Sequence, residues 1–371
     1  MAEKEAKARI QINKLLEQAG WRFFDDKNGP ANIRLELNVK ITKKDIDALG
    51  EDFETRKNGY VDYLLLDDDG KPLVVLEAKS TKKNPLNGKE QARQYARSLN
   101  VRFVILSNGN IHYFWDIDTG NPEIITEFPT LESIQHRLQF KPDVRRLSSE
   151  YVDAYYIAET QEPDFKDEPL FKVAETRTQY ISSKNLRILR DYQLRAIQAL
   201  QKAASEGKTR FLFEMATGTG KTLVSAAVIK LFLRTGNAKR VLFLVDRLEL
   251  EDQAYKNFVR YLKNDYTTVI YKQNRDDWRK AEIVVTTIQS MLSQDKYRKL
   301  FSPTDFDLVI SDEAHRSIGG NSRAVFEYFI GYKLGLTATP KNYLKNIDPD
   351  KLSSRDIRAW ERRELLDTYK T

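Results

Sequence analysis

The sequence contains no cysteine, which excludes disulfides and thiolate metal sites and makes a reducing compartment, the cytoplasm, the expected location. Long apolar runs are missing too. The longest, such as Val241 to Val245, are strand-sized and far short of the roughly 20 residues a membrane span needs. The N-terminus has no secretory apolar region, so no membrane partner is expected. No internal repeat or low-complexity tract is found. A strong excess of one charge is also lacking: 61 Lys and Arg face 54 Asp and Glu, a net charge of +7. That balance is compatible with a polyanionic partner but does not establish one.

What is present is a soluble globular composition, 41% hydrophobic and 31% charged, over 371 residues, enough for two or three domains. Met1 to Gly20 reads as an amphipathic helix, with Ile10, Leu15, Leu16 and Ala19 facing inward and Gly20 as its stop. From Tyr60 to Lys79, apolar runs flank Asp67-Asp68-Asp69-Gly70, a hairpin signal with Asp69 and Gly70 as the central turn residues. The same grammar recurs from Arg102 to Trp115 around Asn108-Gly109, with a helix expected over Glu90 to Leu99 between the two. Residues 1–145 are therefore expected to form a mixed α/β domain. Acidic, proline-interrupted residues 146–180 read as a linker. Beyond them, short apolar strands at Phe211-Leu212-Phe213, Val241 to Val245, Ile283-Val284-Val285, Leu308-Val309-Ile310 and Leu334 to Leu336 alternate with helical stretches. That alternation implies a parallel, doubly wound sheet over 181–371.

The strand Phe211 to Glu214 runs into Met215-Ala216-Thr217-Gly218-Thr219-Gly220-Lys221-Thr222, and a helix follows over Leu223 to Arg234. This is a phosphate loop in its required strand-to-helix setting. Thr217, Gly218, Thr219 and Gly220 would present backbone N–H groups to phosphate oxygens at a helix N-terminus. Lys221 would meet the β and γ phosphates of ATP, and the Thr222 hydroxyl would ligate Mg²⁺. Further on, the strand Phe306 to Ser311 ends in Asp312-Glu313-Ala314-His315. Asp312 could hold the Mg²⁺ shell while Glu313 aligns the attacking water and takes its proton.

A second acidic cluster lies in the first hairpin. Counting back from the Asp69-Gly70 turn puts Asp62 opposite Glu77, and Lys79, two residues on, projects to the same face. Such a set suits a Mg²⁺-dependent phosphodiesterase, with Asp62, Glu77 and the Ala78 carbonyl on the metal and Lys79 positioning water. It equally suits a cross-strand salt bridge on a wet face. The tripeptide Glu77-Ala78-Lys79 cannot decide, since Glu5-Ala6-Lys7 repeats it in the N-terminal helix.

The phosphate loop, Asp312 to His315 and Thr337-Ala338-Thr339-Pro340 together resemble motifs I, II and III of superfamily 2 helicases and translocases, with Met215 standing where the generic loop has its first Gly. Leu189-Arg190-Asp191-Tyr192-Gln193 resembles that superfamily's adenine-reading element, which makes Gln193 the adenine contact. Val245-Asp246-Arg247 and Thr286 to Ser290 sit where such motors contact the DNA backbone, which singles out Arg247, Thr286 and Gln289. Thr337 and Thr339 resemble the link between ATP and DNA movement. Asp62, Glu77 and Lys79 resemble a PD-(D/E)xK nuclease core with Val61 in place of the nominal Pro. Gln91 and Tyr95 in Gln91-Ala92-Arg93-Gln94-Tyr95 resemble the Q-x-x-x-Y helix of type I restriction motor subunits, where they would orient Lys79 or contact a DNA phosphate.

The order of parts, nuclease domain and then a RecA-like lobe, resembles the N-terminal portion of those subunits. The resemblance implies ATP and Mg²⁺ as cofactors, double-stranded DNA as substrate, and modification (methyltransferase) and specificity subunits as partners. It implies ATP-driven translocation coupled to cleavage of unmethylated DNA. A second motor lobe is expected in that family and is not found before residue 371. The rival expectations are a stand-alone helicase with an inert N-terminal adaptor, or a binding module without catalysis.

Overall fold

A computed structural model describes residues 2–39, 59–118, 120–271, 278–314 and 320–338. The chain divides into two units, one reaching to Phe140 and including Leu300–Asp305, the other starting at Lys141. Among the described residues no helix is long and apolar enough to cross a membrane.

In the first unit α1 (Ala2–Gln18) buries Ala8, Ile12 and Leu16 at a spacing of four, one face of a helix. Ile10, expected to face inward, points to solvent at 68% exposure, because two residues from Ala8 is more than half a turn away. Leu15 and Ala19 are half-buried on the flank. A mixed six-stranded sheet follows in the order β1 (Ile33–Val39), β2 (Gly59–Leu66), β3 (Pro72–Ala78), β4 (Phe103–Ser107), β5 (His112–Asp116) and β6 (Glu123–Ile125). Only β3 and β4 run parallel, and α2 (Lys89–Ser98) makes the crossover they require, while α3 (Leu131–Leu138) follows β6. Ala92, Tyr95 and Ala96 of α2 pack on Val61, Val75, Val104 and Leu106 of the sheet. At the sheet's far end Arg102 grips Asp116 with two hydrogen bonds of 2.9 and 2.6 Å, a buried fork-to-carboxylate pair.

The β2–β3 turn departs from expectation in an instructive way. The Asp67 N–H donates to Lys71 O and the Gly70 N–H to Asp67 O, so the loop is closed by Asp67 and Lys71 rather than by Asp68 and Lys71. A β-bulge between Leu65 and Leu66 then shifts the register, and Leu65 pairs with Val74, Leu64 with Val75 and Tyr63 with Leu76. The extra residue at the turn and the bulge cancel. One step further along this register Asp62 faces Glu77, the pairing that the simpler turn also gave.

Residues 146–180, read as a linker in the sequence, carry most of α4 (Val144–Ser149), then α5 (Ala158–Gln161), α6 (Pro169–Lys172) and most of α7 (Ala174–Ser183). Leu147, Val152, Tyr156 and Ile157 belong to the main core of this unit, and Phe165, Phe171 and Tyr180 form a smaller aromatic core beside it. Side chains of the lobe hold the segment by its main chain. Gln201 donates to the carbonyls of Leu147 and Glu150, both at 2.8 Å, and Lys230 donates to Tyr156 O at 2.5 Å. The segment reads as a linker because its helices are short and polar outside, while its packing is non-local.

After α8 (Asp191–Ser205) come β7 (Arg210–Glu214), α9 (Lys221–Arg234), β8 (Val241–Val245), α10 (Leu248–Leu262), β9 (Thr268–Ile270), β10 (Ile283–Thr287), α11 (Ile288–Leu292), β11 (Leu308–Ser311) and β12 (Tyr332–Thr337). All six strands are parallel, in the order β7-β12-β11-β8-β10-β9. The chain steps outward from β7 to β9 and returns through β10, β11 and β12. The expected α/β class is therefore found, with a mixed sheet first and a parallel sheet second. Because the strands are parallel, the loops after β7, β11 and β12 all emerge at one sheet edge, where α/β sheets bind ligands.

Candidate active sites

At that edge the phosphate loop joins β7 to α9. The Met215 N–H donates to Thr337 O at 2.8 Å, so the end of β12 is tied directly to the loop. Thr217 and Gly218 are exposed, Thr219 and Thr222 half-buried. Gly220 is left-handed at φ +85°, and a Cβ there would stand 2.6 Å from Gln193 Nε2, so only glycine fits. Gln193 is itself buried. Its Oε1 accepts from Arg190 N–H at 2.9 Å, and its Nε2 donates to Thr219 O at 2.9 Å, where the Tyr192 hydroxyl also donates at 2.7 Å. The residue expected to read adenine thus also braces the loop that would hold the phosphates.

Two strands away, Asp312 and Glu313 follow β11. Lys221 Nζ donates to Glu313 Oε1 at 2.6 Å, and the Glu313 N–H donates to Asp312 Oδ1 at 3.0 Å. Burial raises the Asp312 carboxyl above its ordinary range, with Lys221 pulling the other way. Two loops 92 residues apart in sequence therefore place a cation, two carboxylates and the N-terminus of a 14-residue helix together. Such an arrangement is chemically suited to a phosphate chain with a divalent cation.

The hairpin site is built on β2 and β3. Asp62 Oδ2 accepts from Ala78 N–H at 2.8 Å, and its Oδ1 accepts from Arg9 of α1 at 2.8 Å. Lys79 Nζ bridges Glu77 Oε1 at 2.8 Å and Gln91 Oε1 at 3.2 Å, and Gln91 Nε2 donates to the Tyr95 hydroxyl at 3.0 Å. Asp62, Glu77, Lys79, Gln91 and Tyr95 are thus brought together as expected from the sequence. They include the ion pairs Arg9–Asp62 and Lys79–Glu77, of which Glu77 is only 3% exposed. Burial first, then the neighbouring Asp62 charge, push its carboxyl from 4.5 up to about 7 against the pull of Lys79 and Arg9. Its Oε2 is buried with no hydrogen-bond partner among the described residues, an arrangement that costs stability and that a proton or a metal ion would relieve. Over this pair lies the short 3₁₀ turn Pro85–Gly88. A Cβ on Gly88 would meet Lys79 Cε at 2.8 Å and Glu77 Cγ at 2.9 Å, so glycine lets the backbone close on the site.

Comparison with known proteins matches both halves. Residues 30–131 match the family described as type I restriction enzyme R protein N terminus. Residues 187–342 match the family described as type III restriction enzyme, res subunit. The type I restriction enzyme EcoAI endonuclease subunit of Escherichia coli is 31% identical over 330 residues, 87% of this chain. The chain is similar to the N-terminal part of type I restriction enzyme R proteins. It spans 37% of the length of the Escherichia coli subunit. The SsaAORF53P endonuclease subunit of Staphylococcus saprophyticus is 32% identical over 46% of this chain and 19% of that protein. The putative ATP-dependent helicase IRC3 of Saccharomyces cerevisiae is 29% identical over 38% of this chain and 21% of that protein.

The remaining candidate residues fall into different settings. Arg247 and Gln289 are exposed and line an open depression of about 370 Å³ with Thr287, Ser290, Ser293 and Lys296. Thr286 is not part of it. It lies fully buried on β10 beside Leu244 of β8, so it does not reach a nucleic acid in this structure; the next residue, Thr287, is buried too and caps α11 by accepting from the Ser290 N–H. Glu251, buried on α10, accepts from Thr287 N–H at 2.9 Å and ties the loops after β8 and β10 together. Thr337 is buried and meets the phosphate loop through its carbonyl. Thr339 and His315 lie outside the described residues. Arg9 was missed in the sequence because its partner is 53 residues away and nothing local marks it. Glu251 was missed for the same reason.

Proposed function

We propose that this chain is the nuclease and ATP-binding part of a restriction subunit that moves double-stranded DNA with ATP and cuts it in a Mg²⁺-dependent step. Modification and specificity subunits would complete the complex in the cytoplasm, the compartment that a cysteine-free chain suits. The observation that carries the reading is the buried, unpartnered Glu77 Oε2 beside Asp62 and Lys79.

The residues fit a hard divalent cation. Among the described residues no group of three His, Cys, Asp or Glu side chains could hold a metal. Mg²⁺ would therefore rest on Asp62, Glu77, the Ala78 carbonyl and water, as is usual for an ion that keeps several waters. Bound there, it would supply Lewis acidity for phosphodiester hydrolysis. Lys79, fixed by Glu77 and Gln91, presents its ammonium where negative charge develops and can orient the attacking water. In the other unit, Lys221 is poised to exchange Glu313 for phosphate oxygens of ATP, which frees the Glu313 carboxylate to align water and take its proton. Asp312 and Thr222 would hold the accompanying Mg²⁺. Arg247 and Gln289 would meet the DNA backbone, to which guanidinium and amide donors are suited.

The test is metal-dependent nicking of supercoiled DNA by the purified chain. Asp62→Ala, Glu77→Ala and Lys79→Ala should each abolish it, and Lys7→Ala, on the exposed face of α1, should not. Nicking that persists in Glu77→Ala would refute the nuclease assignment.

A further inference from the structure

Arg9 stands apart from the other members of the hairpin site because it comes from α1. That helix is seated by buried Ala8, Ile12 and Leu16, and by a 2.9 Å hydrogen bond from the Tyr63 hydroxyl to Asn13 Oδ1. Tyr63 is the neighbour of Asp62, so the helix is held in register with the strand that carries the carboxylate. Both Asp62 oxygens are then engaged, Oδ1 by Arg9 and Oδ2 by the Ala78 N–H. Lys79 occupies Glu77 Oε1. Two cations thus stand against two carboxylates, and the cluster is close to charge balance before any metal enters.

A divalent cation added to this arrangement meets two positive neighbours at close range in a partly desolvated site. One of them is able to leave. The Arg9 side chain is 31% exposed, compared with 20% for Lys79, and a guanidinium forks onto phosphate oxygens as well as onto a carboxylate. DNA laid along the site brings phosphates to the same edge as the metal.

We propose that Arg9 is a placeholder on Asp62 that a DNA phosphate draws away, so that the site takes up its metal ion tightly only when DNA is bound. This rests on the nuclease reading above. Such coupling is reciprocal: DNA raises metal affinity and the metal raises DNA affinity by the same factor. The expected factor is on the order of tenfold, the worth of one charge-assisted hydrogen bond.

The experiment titrates Mn²⁺ into the full chain, followed by electron paramagnetic resonance, with and without a short DNA duplex. An Asp312→Asn background keeps the nucleotide site from contributing. In the parent the duplex should tighten Mn²⁺ binding by about tenfold. Arg9→Gln should bind Mn²⁺ about that much more tightly without DNA, and the duplex should then add little. Arg9→Lys keeps the charge but not the fork, and should retain only part of the coupling. It also serves if Arg9→Gln fails to fold. Unchanged or weaker Mn²⁺ binding in a folded Arg9→Gln chain, or full coupling in Arg9→Lys, would overturn the proposal and leave Arg9 as a strut for α1. Asp62→Asn and Glu77→Gln separate the two levels. If neither weakens Mn²⁺ binding, the nuclease reading itself fails; if both do and Arg9→Gln changes nothing, only the placeholder fails.

Discussion

Replacing Glu77 by Gln keeps the shape of the side chain and removes its titration, which turns the buried carboxyl into a measurable stability term. In the folded chain the Glu77 carboxyl is pushed from 4.5 to about 7. A raised carboxyl binds its proton more tightly in the native state than in the unfolded one. Without metal, the parent should therefore lose stability as pH rises from 4.5 to 7 and lose no more above that. At 1.36 kcal/mol for each pH unit of displacement, the loss is about 3 kcal/mol. His112 acts in the opposite direction: burial lowers its ring to about 4, so it costs stability as pH falls below 6.5. The difference between Glu77→Gln and parent cancels that contribution. The assay is urea unfolding in EDTA from pH 4 to 8, in a Trp278→Phe, Trp360→Phe background, so that Trp21 and Trp115 report the first unit. The variant should gain about 3 kcal/mol on the parent across this range, and Mg²⁺ should shrink the gap by relieving Glu77 Oε2. Parallel profiles for the two proteins would refute the claim that Glu77 is held in a strained, near-neutral state.

Three further outcomes follow from specific contacts. Gly88→Ala should reduce metal-dependent nicking by at least about tenfold, since the new methyl displaces Lys79 or Glu77, while circular dichroism shows the fold intact. Gly220→Ala should weaken binding of a fluorescent ATP analogue by a similar factor, because it drives out the Gln193 amide that braces Thr219. Lys230→Ala should destabilise the second unit by about 3 kcal/mol in urea unfolding and expose residues 144–186 to trypsin, because it strips the Tyr156 carbonyl and empties buried space.

The placement of the candidate residues was legible in the sequence wherever they are contiguous and flanked by the elements they need. The phosphate loop and Asp312-Glu313 are of this kind, since strand, turn and helix signals agree within a few residues. The Asp62–Glu77 pairing was legible through strand periodicity even though the turn was misassigned, because a bulge restores the register that the longer loop displaces. Non-local information was not legible. Arg9, Glu251 and the docking of residues 146–180 all depend on partners dozens of residues away, and α5 and α6, of four residues each, are too short to show a helical period. Thr286 was misplaced for another reason. Its strand is buried on both faces, so alternation along β10 carries no signal of which residue meets solvent.

On the proposed function, one chain carries two chemically separate sites, one that uses ATP and one that cuts DNA. The test follows linearisation of unmethylated circular DNA and phosphate release in the same reaction, with the chain in a complex with the proposed modification and specificity subunits. Glu77→Ala should release phosphate at the parental rate and leave the DNA uncut, whereas Lys221→Ala should do neither. Cutting at the parental rate by either variant would contradict the account.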